Sequence, residues 1–515
     1  INAPLGNMGS DNVDWFIYDT VKSSDYLADH DAVETLCKNA NEAINELAAF
    51  GVNFNQNELG EIYQREYGGQ TTEFGCGENA KRACGVGDKT GESIVAKLYL
   101  EAKNLGVKFA ENIFAHKLIT DDNKAEAIIA YNLEKDEHII YNTSNVIIAT
   151  GGYAGLYRSN TAANICTGDG IAIAYQAGLP VKDMEFIQFH PTSLAENSLL
   201  ISEVARAEGG YLTNVKGERF MENYAPKLKD LASRDVVSRA IFSELKENRG
   251  CGANRDYVNL NIAHLGKEKI QKYLPNLIKT CENFLALDPT KDPIPVKPSA
   301  HYTMGGIATD KNGLVEGFKG IYAIGEAACA SVHGANRLGC NSLLEIIVFG
   351  KVAALDLHHN FCKTEKVAKK YQRNIVEFET ELKNCKNNLV ELRSKLGLIM
   401  DEKAGIVRDE KTLRSGLTEI RELEQEHETD FKALNQVVDF IELKNLLLLA
   451  KLTFKGAIAR RESRGAHFRS DFKVRNDIKF LQHSIQYLDQ EIKFAPIRVT
   501  KSHLAEKLKP GKRNY

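Results

Sequence analysis

Helical and strand-like spacings of apolar residues alternate along the first part of the chain. Apolar positions recur at helical intervals in residues 31–50 and 91–104, and residues 107–110 have the character of a strand. Residues 117–141 predict two or three antiparallel strands joined by polar turns. The glycine-rich residues 67–77 suit neither element, so they predict a loop that faces a ligand. This alternation is typical of an α/β protein.

Two further apolar runs end in glycine, as parallel strands do where a ligand meets their carboxyl ends. The first run, 145–152, is followed by a Thr-Gly-Asp-Gly turn at 167–170 that opens a helix. The second run, 320–325, leads through Glu326 and a glycine-rich loop into a helix that begins near Asn341. Backbone N–H groups at a helix start favour anions, and small residues let a backbone come close. These loops therefore predict a site for an extended, negatively charged ligand.

The character of the sequence changes along the rest of the chain. Residues 186–300 are polar with few long apolar runs, which indicates a second domain inserted into the α/β pattern. From residue 460 onward the chain is an irregular, basic tail that contains another helix or strand. Between these parts, Lys- and Glu-rich sequence with little Gly or Pro predicts an antiparallel bundle of helices near residues 364–388, 411–426 and 431–455.

Composition narrows the classes of function. A chain of 515 residues predicts about two to four domains, and 43% hydrophobic with 26% charged residues is typical of a folded protein. The net charge of −3 gives no reason to expect nucleic acid as a partner. No apolar run approaches the ~20 residues of a membrane span, so we expect no transmembrane segment. The 10 cysteines include no CxxC pair, so we expect no structural metal site.

The motifs that carry a family resemblance are Phe189-His-Pro-Thr192, Gly217-Glu-Arg-Phe-Met221, Arg234-Asp-Val-Val237, His301-Tyr-Thr-Met-Gly-Gly306, His333-Gly-Ala-Asn-Arg-Leu-Gly339 and Arg461-Glu-Ser-Arg-Gly-Ala-His467. With these motifs, the chain resembles the flavoprotein subunits of succinate dehydrogenase and fumarate reductase from Ile1 to Tyr515. It departs from the family's pattern at Tyr67, Ser202, Val204 and Cys340. These departures suggest a divergent bacterial branch and leave the physiological direction of the reaction open.

The resemblance implies an α/β fold with a Rossmann-like FAD-binding domain interrupted by an α+β capping domain, followed by a helical bundle domain and a small C-terminal domain. In this family the first strand, the GxGxxG turn and the FAD-linking histidine belong to a segment that this sequence lacks. We therefore expect the chain to be truncated at its N-terminus and not to hold FAD normally on its own. The implied divisions are 1–185 (FAD-binding, first part), 186–300 (capping), 301–360 (FAD-binding, second part), 361–459 (helical) and 460–515 (C-terminal).

The resemblance also implies the chemistry, which is the interconversion of succinate and fumarate. A hydride would pass to or from flavin N5, and Arg234 would carry the proton. Glu203 and Arg206 would form the relay that reloads Arg234. Arginine is an unusual acid, because its ordinary pKa keeps it charged. The alternative for Arg234 is a structural ion pair with Asp235 at the start of a helix.

The same resemblance assigns binding residues. Arg337 and His301 would hold one carboxylate of the substrate, and His190 and Ser202 would hold the other. Gln188 is expected near the flavin or a carboxylate. We expect FAD to be attached covalently through a histidine of the lacking segment. The implied FAD contacts are Thr150 and Gly151 at a strand end, Asp169, Glu326 on the ribose, Arg337, and the N–H groups of Ser342 and Leu343.

The resemblance also implies partner subunits, and it leaves alternative functions open. Electrons would pass to an iron–sulfur subunit and the quinone pool, because the chain has no cysteine pattern for a cluster. Membrane anchor subunits would hold the assembly on the cytoplasmic face of the inner membrane, with export to the periplasm as an alternative. The competing hypotheses are an L-aspartate oxidase, which shares the fold, and a non-catalytic partner-binding form that lacks the dinucleotide fingerprint.

Overall fold

The computed structural model describes residues 1–363, 389–427 and 437–513. Its helices, numbered in chain order, are α1 (Val13–Ser23), α2 (His30–Lys38), α3 (Ala40–Ala49), α4 (Thr90–Asn104), α5 (Asp169–Gln176), α6 (Val204–Ala207), α7 (Met221–Tyr224), α8 (Arg234–Lys246), α9 (Lys267–Tyr273), α10 (Pro275–Leu285), α11 (Asn341–His359), α12 (Leu389–Lys403), α13 (Glu410–His427), α14 (Val437–Ala459) and α15 (Asp477–Phe480). Its strands are β1 (Gln64–Thr71), β2 (Asn79–Cys84), β3 (Ile113–Asp121), β4 (Lys124–Asn132), β5 (Glu137–Asn142), β6 (Val146–Ile148), β7 (Val181–Lys182), β8 (Ile187–Leu194), β9 (Tyr211–Thr213), β10 (Val258–Asn261), β11 (Ile294–Thr303), β12 (Gly306–Ala308), β13 (Ile321–Ala323), β14 (Ala328–Cys329), β15 (Val407–Arg408), β16 (Phe468–Arg469), β17 (Gln482–Gln486) and β18 (Lys493–Pro496).

The strands form several sheets that combine parallel and antiparallel pairs. The largest sheet has the order β14-β12-β7-β17-β18, and a second has the order β8-β11-β10-β9. Strands β6 and β13 lie side by side in parallel, and β3-β4-β5 form an antiparallel meander. The predicted α/β fold class is confirmed, and so are the predicted strands within residues 117–141.

The predicted helix over residues 31–50 is divided into α2 and α3 at Asn39. The side-chain amide of Asn39 donates to the carbonyl of Thr35 at 2.8 Å. Asparagine competes with helix geometry through such local bonds, which explains the division. The predicted helix over 91–104 is confirmed as α4, and the helix near Asn341 as α11.

Two local predictions are wrong. Residues 107–110 form an exposed loop, and the strand begins only at Ile113, where β4 supplies a partner. Part of the predicted loop at 67–77 is strand, because β1 continues to Thr71 and pairs with β2 through an irregular register. Gly69, inside this irregularity, has a φ of +78°, a conformation that favours glycine. The rest of the stretch contains one short 3-10 turn, Glu73–Gly75, and otherwise stays irregular. That it faces a ligand remains a prediction.

The helical part of the chain packs around α14. Helix α13 confirms the prediction for residues 411–426, and α14 confirms most of the prediction for 431–455. The predicted helix at 364–388, like residues 431–436, lies outside the described residues. Leu446, Leu447 and Leu449 of α14 are buried, because α5, α12 and α13 surround this helix. None of the helices described is long and apolar enough to cross a membrane.

The C-terminal part is more ordered than the predicted irregular tail. Strand β17 lies inside the largest sheet, where Ile485 pairs with Lys182 of β7. The second sheet is built from strands within residues 187–303. The division of the chain at residues 185, 300, 360 and 459 remains a prediction.

Candidate active site

The carboxyl ends of β6 and β13 form one edge of the candidate site. The two strands pair with Ile148 opposite Ala323, so the residues that follow them come together. Thr150 and Gly151 follow β6, and Glu326 follows β13. Gly151 has a φ of +76°, which favours glycine, and Thr150 is exposed at this edge. The structure thus brings together three of the predicted cofactor residues.

Glu326 is held in place by its neighbour Thr303. Its Oε1 accepts hydrogen bonds from the Thr303 backbone N–H at 2.8 Å and from the Thr303 hydroxyl at 3.0 Å. Burial raises the pKa of Glu326 to about 7, because the ionised carboxylate loses solvation. A Cβ on Gly152 would lie 2.3 Å from this oxygen and 2.4 Å from the Thr303 hydroxyl, so a side chain there would displace the hydrogen-bonded pair.

Helix α11 presents its N-terminus to the same region. Ser342 and Leu343 lie in its first turn, whose backbone N–H groups have no partners within the helix. The hydroxyl of Ser342 accepts a hydrogen bond from Arg337. Cys340, immediately before the helix, has a φ of +69°. The predicted contacts Ser342 and Leu343 therefore offer N–H groups at a helix end, which suits an anionic ligand.

Asp169 lies at the N-terminus of α5. Its carboxylate accepts hydrogen bonds from the Thr167 hydroxyl and, at 2.6 Å, from Asn445 Nδ2 of α14. The residue thus links α5 to the helical bundle, a contact that the sequence did not indicate.

The residues present fit a dinucleotide. A Cβ built on Gly151 would meet no atom within 4 Å, so the described chain leaves space beside this turn. The carboxylate of Glu326 is an acceptor for a ribose hydroxyl, and the start of α11 supplies N–H donors. This set of donors and acceptors fits the FAD that the resemblance implies.

Arg337 is buried, and it forms no ion pair with any residue in the described parts of the chain. Its guanidinium lies 4.4 Å from the ring centre of Tyr302. Burial, and then the nearby Arg234, lower the pKa of Arg337 to about 10. A buried guanidinium in this state favours an anionic ligand, because such a ligand would compensate its charge.

Gln188 connects the two arginines of the site. Its Oε1 accepts hydrogen bonds from Arg234 Nη1 at 3.1 Å and from Arg337 Nε at 3.4 Å. Its Nε2 donates to Asn336 Oδ1 at 2.9 Å and to the Arg337 carbonyl at 2.8 Å. All four bonds lie within the protein, so Gln188 fixes the guanidinium groups relative to each other.

Arg234, Glu203 and Arg206 form a buried array of charges. Arg234 Nε donates to Glu203 Oε2 at 2.8 Å, and Arg206 Nη2 lies 3.7 Å from Glu203 Oε1. Burial alone would raise the pKa of Glu203, but the two arginines outweigh it and hold the pKa below its ordinary value. Glu203 therefore stays ionised between them.

The alternative interpretation of Arg234 is wrong. Asp235 binds Arg239 and Arg513 rather than Arg234, which turns to Glu203 instead. Arg234 begins α8, and its Nη2 forms no hydrogen bond with the described residues. This nitrogen is the one that could reach a ligand.

The two site histidines lie beside each other, with ring centres 5.0 Å apart. His190 Nδ1 is within bonding distance of Thr192, and His301 Nδ1 lies 2.7 Å from the hydroxyl of Thr161. Burial, followed by the charge of Arg234, lowers the pKa of both histidines well below the ordinary value. Both rings are therefore neutral at physiological pH. The hydroxyl oxygen of Ser202 accepts a hydrogen bond from the backbone N–H of Val204 at 3.3 Å, and the role of Ser202 in holding a carboxylate stays a prediction.

One group of site residues was missed in the sequence. Glu345 of α11 accepts hydrogen bonds from Tyr302 at 2.8 Å and pairs with His333 at 2.9 Å. Tyr302 in turn lies under the guanidinium of Arg337. Tyr302 and His333 belong to the quoted motifs, but no spacing rule connects them with Glu345.

The arrangement suits a small dianion. Two guanidinium groups, two neutral imidazoles and a fixed amide converge in a buried space, and such donors bind carboxylates through charge-assisted hydrogen bonds. Across the described ranges, no group of three or more His, Cys, Asp or Glu side chains could hold a metal ion.

Comparison with known proteins gives a consistent result. The model of the FAD binding domain matches residues 1–343, and that of the fumarate reductase flavoprotein C-terminal region matches residues 393–515. The succinate dehydrogenase flavoprotein subunit of Rickettsia bellii is 43% identical over 540 residues, covering 100% of this chain and 91% of the relative. The 8-methylmenaquinol:fumarate reductase flavoprotein subunit of Wolinella succinogenes is 36% identical, covering 95% and 81%.

Solved structures agree. A variant of E. coli quinol fumarate reductase has a TM-score of 0.91 at 29% identity, covering 99% of this chain and 91% of that chain. The predicted resemblance is confirmed, with FAD as the cofactor of the domain. The chain belongs to the family of succinate dehydrogenase and fumarate reductase flavoprotein subunits.

Proposed function

We propose that this chain interconverts succinate and fumarate, with Arg234 as the proton carrier. The observation that supports this most is the buried contact of Arg234 with Glu203, which leaves Nη2 of Arg234 without a hydrogen-bond partner among the described residues. FAD, when bound, accepts or donates the hydride. The residues of the chain then have to hold the dicarboxylate and move a proton.

Binding comes from groups that do not titrate near neutral pH. Arg337 would hold one carboxylate by a bidentate contact, and its guanidinium packs against the ring of Tyr302. His301 and His190 are neutral, so each would donate one N–H to a carboxylate oxygen. Gln188 accepts a hydrogen bond from each arginine and so fixes the position of one guanidinium relative to the other. Such fixed groups stabilise a carbanion-like transition state without reorganisation.

The proton would pass along Arg206, Glu203 and Arg234. In fumarate reduction, Arg234 would give a proton from Nη2 to the substrate carbon. Arg206, whose Nε and Nη2 have no hydrogen-bond partner among the described residues, would then give a proton to the ionised Glu203, which would pass it on to Arg234. Arg206 would regain its proton from solvent. Burial matters here, because an arginine acts as an acid only where its charge is poorly solvated.

The test compares substrates and variants in the holoenzyme. Fumarate reduction by a reduced dye and succinate oxidation should both fall about 100- to 10,000-fold in Arg234→Gln, since general acid catalysis contributes that much. Arg249→Gln is the control and should stay within twofold. Arg249 follows α8 and pairs with Glu244 and Glu247, so its loss removes an arginine without touching Glu203 or Gln188. Oxidation of L-aspartate in place of succinate would contradict the proposal in favour of the oxidase.

We further propose that the chain works in a larger assembly. An iron–sulfur subunit would take electrons from FAD, and membrane anchor subunits would link it to quinone on the cytoplasmic face of the inner membrane. FAD would be attached covalently, so flavin should remain in the pellet after acid precipitation. Release of flavin into the supernatant would contradict covalent attachment but leave the reaction as proposed.

A further inference from the structure

Arg513 joins two acidic residues that lie far apart in the chain. Its Nη2 is 2.9 Å from Asp235 Oδ2 and 3.1 Å from Asp25 Oδ2. The side chains are 11% exposed for Arg513, 0% for Asp235 and 6% for Asp25. Contacts of this kind hold geometry firmly, because breaking a buried ion pair leaves an uncompensated charge.

Asp235 connects Arg513 to the start of α8. Its Oδ1 accepts a hydrogen bond from the hydroxyl of Ser233, which precedes the helix. Its Oδ2 is shared between Arg239 at 2.9 Å and Arg513 at 2.9 Å. Arg234 lies between Ser233 and Asp235. Through its contact with Asp235, Arg513 therefore holds the backbone segment to which Arg234 belongs.

Asp25 connects Arg513 to the loop before Arg337. The carbonyl of the adjacent Ser24 accepts a hydrogen bond from Ala335 at 2.9 Å. The carbonyl of Ser23 accepts one from Asn336 Nδ2 at 3.1 Å. The Asp25 loop is therefore bound directly to the two residues that precede Arg337.

We propose that Arg513 is a positioning residue of the reaction, which sets the position of Arg234 relative to Arg337. This inference rests on the proposed function, in which one arginine binds the dicarboxylate and the other protonates its carbon. Loss of Arg513 leaves each arginine in its own hydrogen bonds but removes the direct ion-pair link between Asp235 and Asp25. Only the longer link through Arg239 and Gly465 then joins the two backbone segments. Substrate binding then persists, while the carbon and Nη2 of Arg234 meet less often in the reactive geometry.

Arg475 supplies a matched control. Its Nη1 binds Asp25 Oδ1 at 2.7 Å, its side chain is 19% exposed, and it forms no ion pair with Asp235 among the described residues. Arg475→Gln removes a similar buried charge from the same aspartate and breaks no contact to α8, although it also loses a hydrogen bond to the Gly511 carbonyl at 3.0 Å. Lys512→Gln is a second control for charge in this part of the chain.

The experiment measures steady-state fumarate reduction in the holoenzyme. In Arg513→Gln we expect kcat to fall about 10- to 100-fold, because small misplacements of reacting groups cost this much, with KM for fumarate within twofold. Arg475→Gln and Lys512→Gln should keep kcat within about twofold. In Arg513→Ala, added ethylguanidinium should restore part of kcat through the cavity of about 490 Å³ that Arg239, Lys512 and Arg513 line.

The outcomes separate this inference from the proposed function. Unchanged kcat in Arg513→Gln, an equal loss in Arg475→Gln, or a rise in KM without a fall in kcat would each overturn the positioning role. Arg234→Gln is measured alongside. If it keeps its activity, the proton-carrier role of Arg234 fails, and the positioning role fails with it.

Discussion

Arg337 and Arg234 differ in how their buried charges are compensated. Arg234 shares the carboxylate of Glu203 with Arg206, whereas Arg337 has only neutral partners within the described chain. An unpaired buried charge costs several kcal/mol, so the free site is held in an unfavourable electrostatic state. A dianionic substrate would compensate the charge of Arg337, so most of the binding energy would come from contacts with its carboxylates.

Glu203 gives the first prediction at this scale. Glu203→Gln keeps the side chain's shape but removes the negative charge between Arg234 and Arg206. We expect kcat for fumarate reduction to fall about 100- to 10,000-fold, because the relay can no longer return a proton. The measurement is steady-state kinetics, with the exposed Glu247→Gln as control. Wild-type kcat in Glu203→Gln would remove Glu203 from the relay.

Glu326 gives a second prediction. Its pKa of about 7 lies above the ordinary value for glutamate, so ionisation opposes folding as pH rises from about 4.5 to 7. Glu326→Gln should therefore stabilise flavin-free protein by roughly 1–3 kcal/mol at pH 8 and have little effect at pH 5. It should also lower the flavin content of purified protein. Urea unfolding at both pH values tests the first part, and equal stability at pH 8 contradicts it.

The helices that carry local signals were predicted well. Helices α4, α5, α11 and α13 begin close to the predicted residues, because glycine turns and spacing act within a few positions. Pairing between distant segments leaves no such mark. For this reason the sequence predicts another helix or strand within the basic tail but not the pairing of β17 with β7, and it does not indicate the contacts of Glu345 with Tyr302 and His333. The family resemblance implies roles for Arg234, Glu203 and Arg337, but only the structure shows that Gln188 joins the two arginines.

Helix α5 offers a prediction at this scale, because Gly168, the residue immediately before it, is not easily replaced by another residue. Gly168 has a φ of +72°, and a Cβ there would lie 2.5 Å from Leu449 Cδ1 and 2.6 Å from Tyr153 Cβ. We expect Gly168→Ala to cost about 2–5 kcal/mol, the sum of backbone strain and overpacking. Gly178→Ala, just beyond the same helix at a φ of +90° with no atom within 4 Å, should cost only about 1–2 kcal/mol. Chemical denaturation measures the free energy of unfolding of both variants. An equal loss in Gly168→Ala and Gly178→Ala would show that backbone strain alone acts, and would contradict the predicted clash at Gly168.

Charged residues from distant parts of the chain meet around His483. It lies 2.6 Å from Asp183 and 3.1 Å from Asp29, with Arg460 and Arg498 bound to the same carboxylates. Burial alone would lower the pKa of His483, but the two aspartates outweigh it and raise the pKa to about 9. This cluster joins the first helices, β7 and the C-terminal strands into one body.

The charge on His483 makes stability depend on pH at the scale of the whole molecule. A folded pKa raised from 6.5 to about 9 stabilises the protein fully below pH 6.5, and the contribution is lost as pH rises through about 9. We expect His483→Gln to lose about 2–3 kcal/mol at pH 6.5 and much less at pH 10. His503→Gln, which breaks an exposed pair with Asp14, should change stability by under about 1 kcal/mol. Thermal melts across this pH range test both, and a pH-independent loss in His483→Gln would exclude the charge as its cause.

The position of β17 beside β7 also constrains biosynthesis. Their contacts join residues separated by 300 positions, as between Asp183 and His483. A ribosome needs ~15–60 s to add that many residues. During this time the edge of β7 that pairs with β17 has no partner, and an unpaired strand edge can associate with other chains. The largest sheet can therefore close only late in synthesis, which makes the emerging polypeptide a natural client for a chaperone.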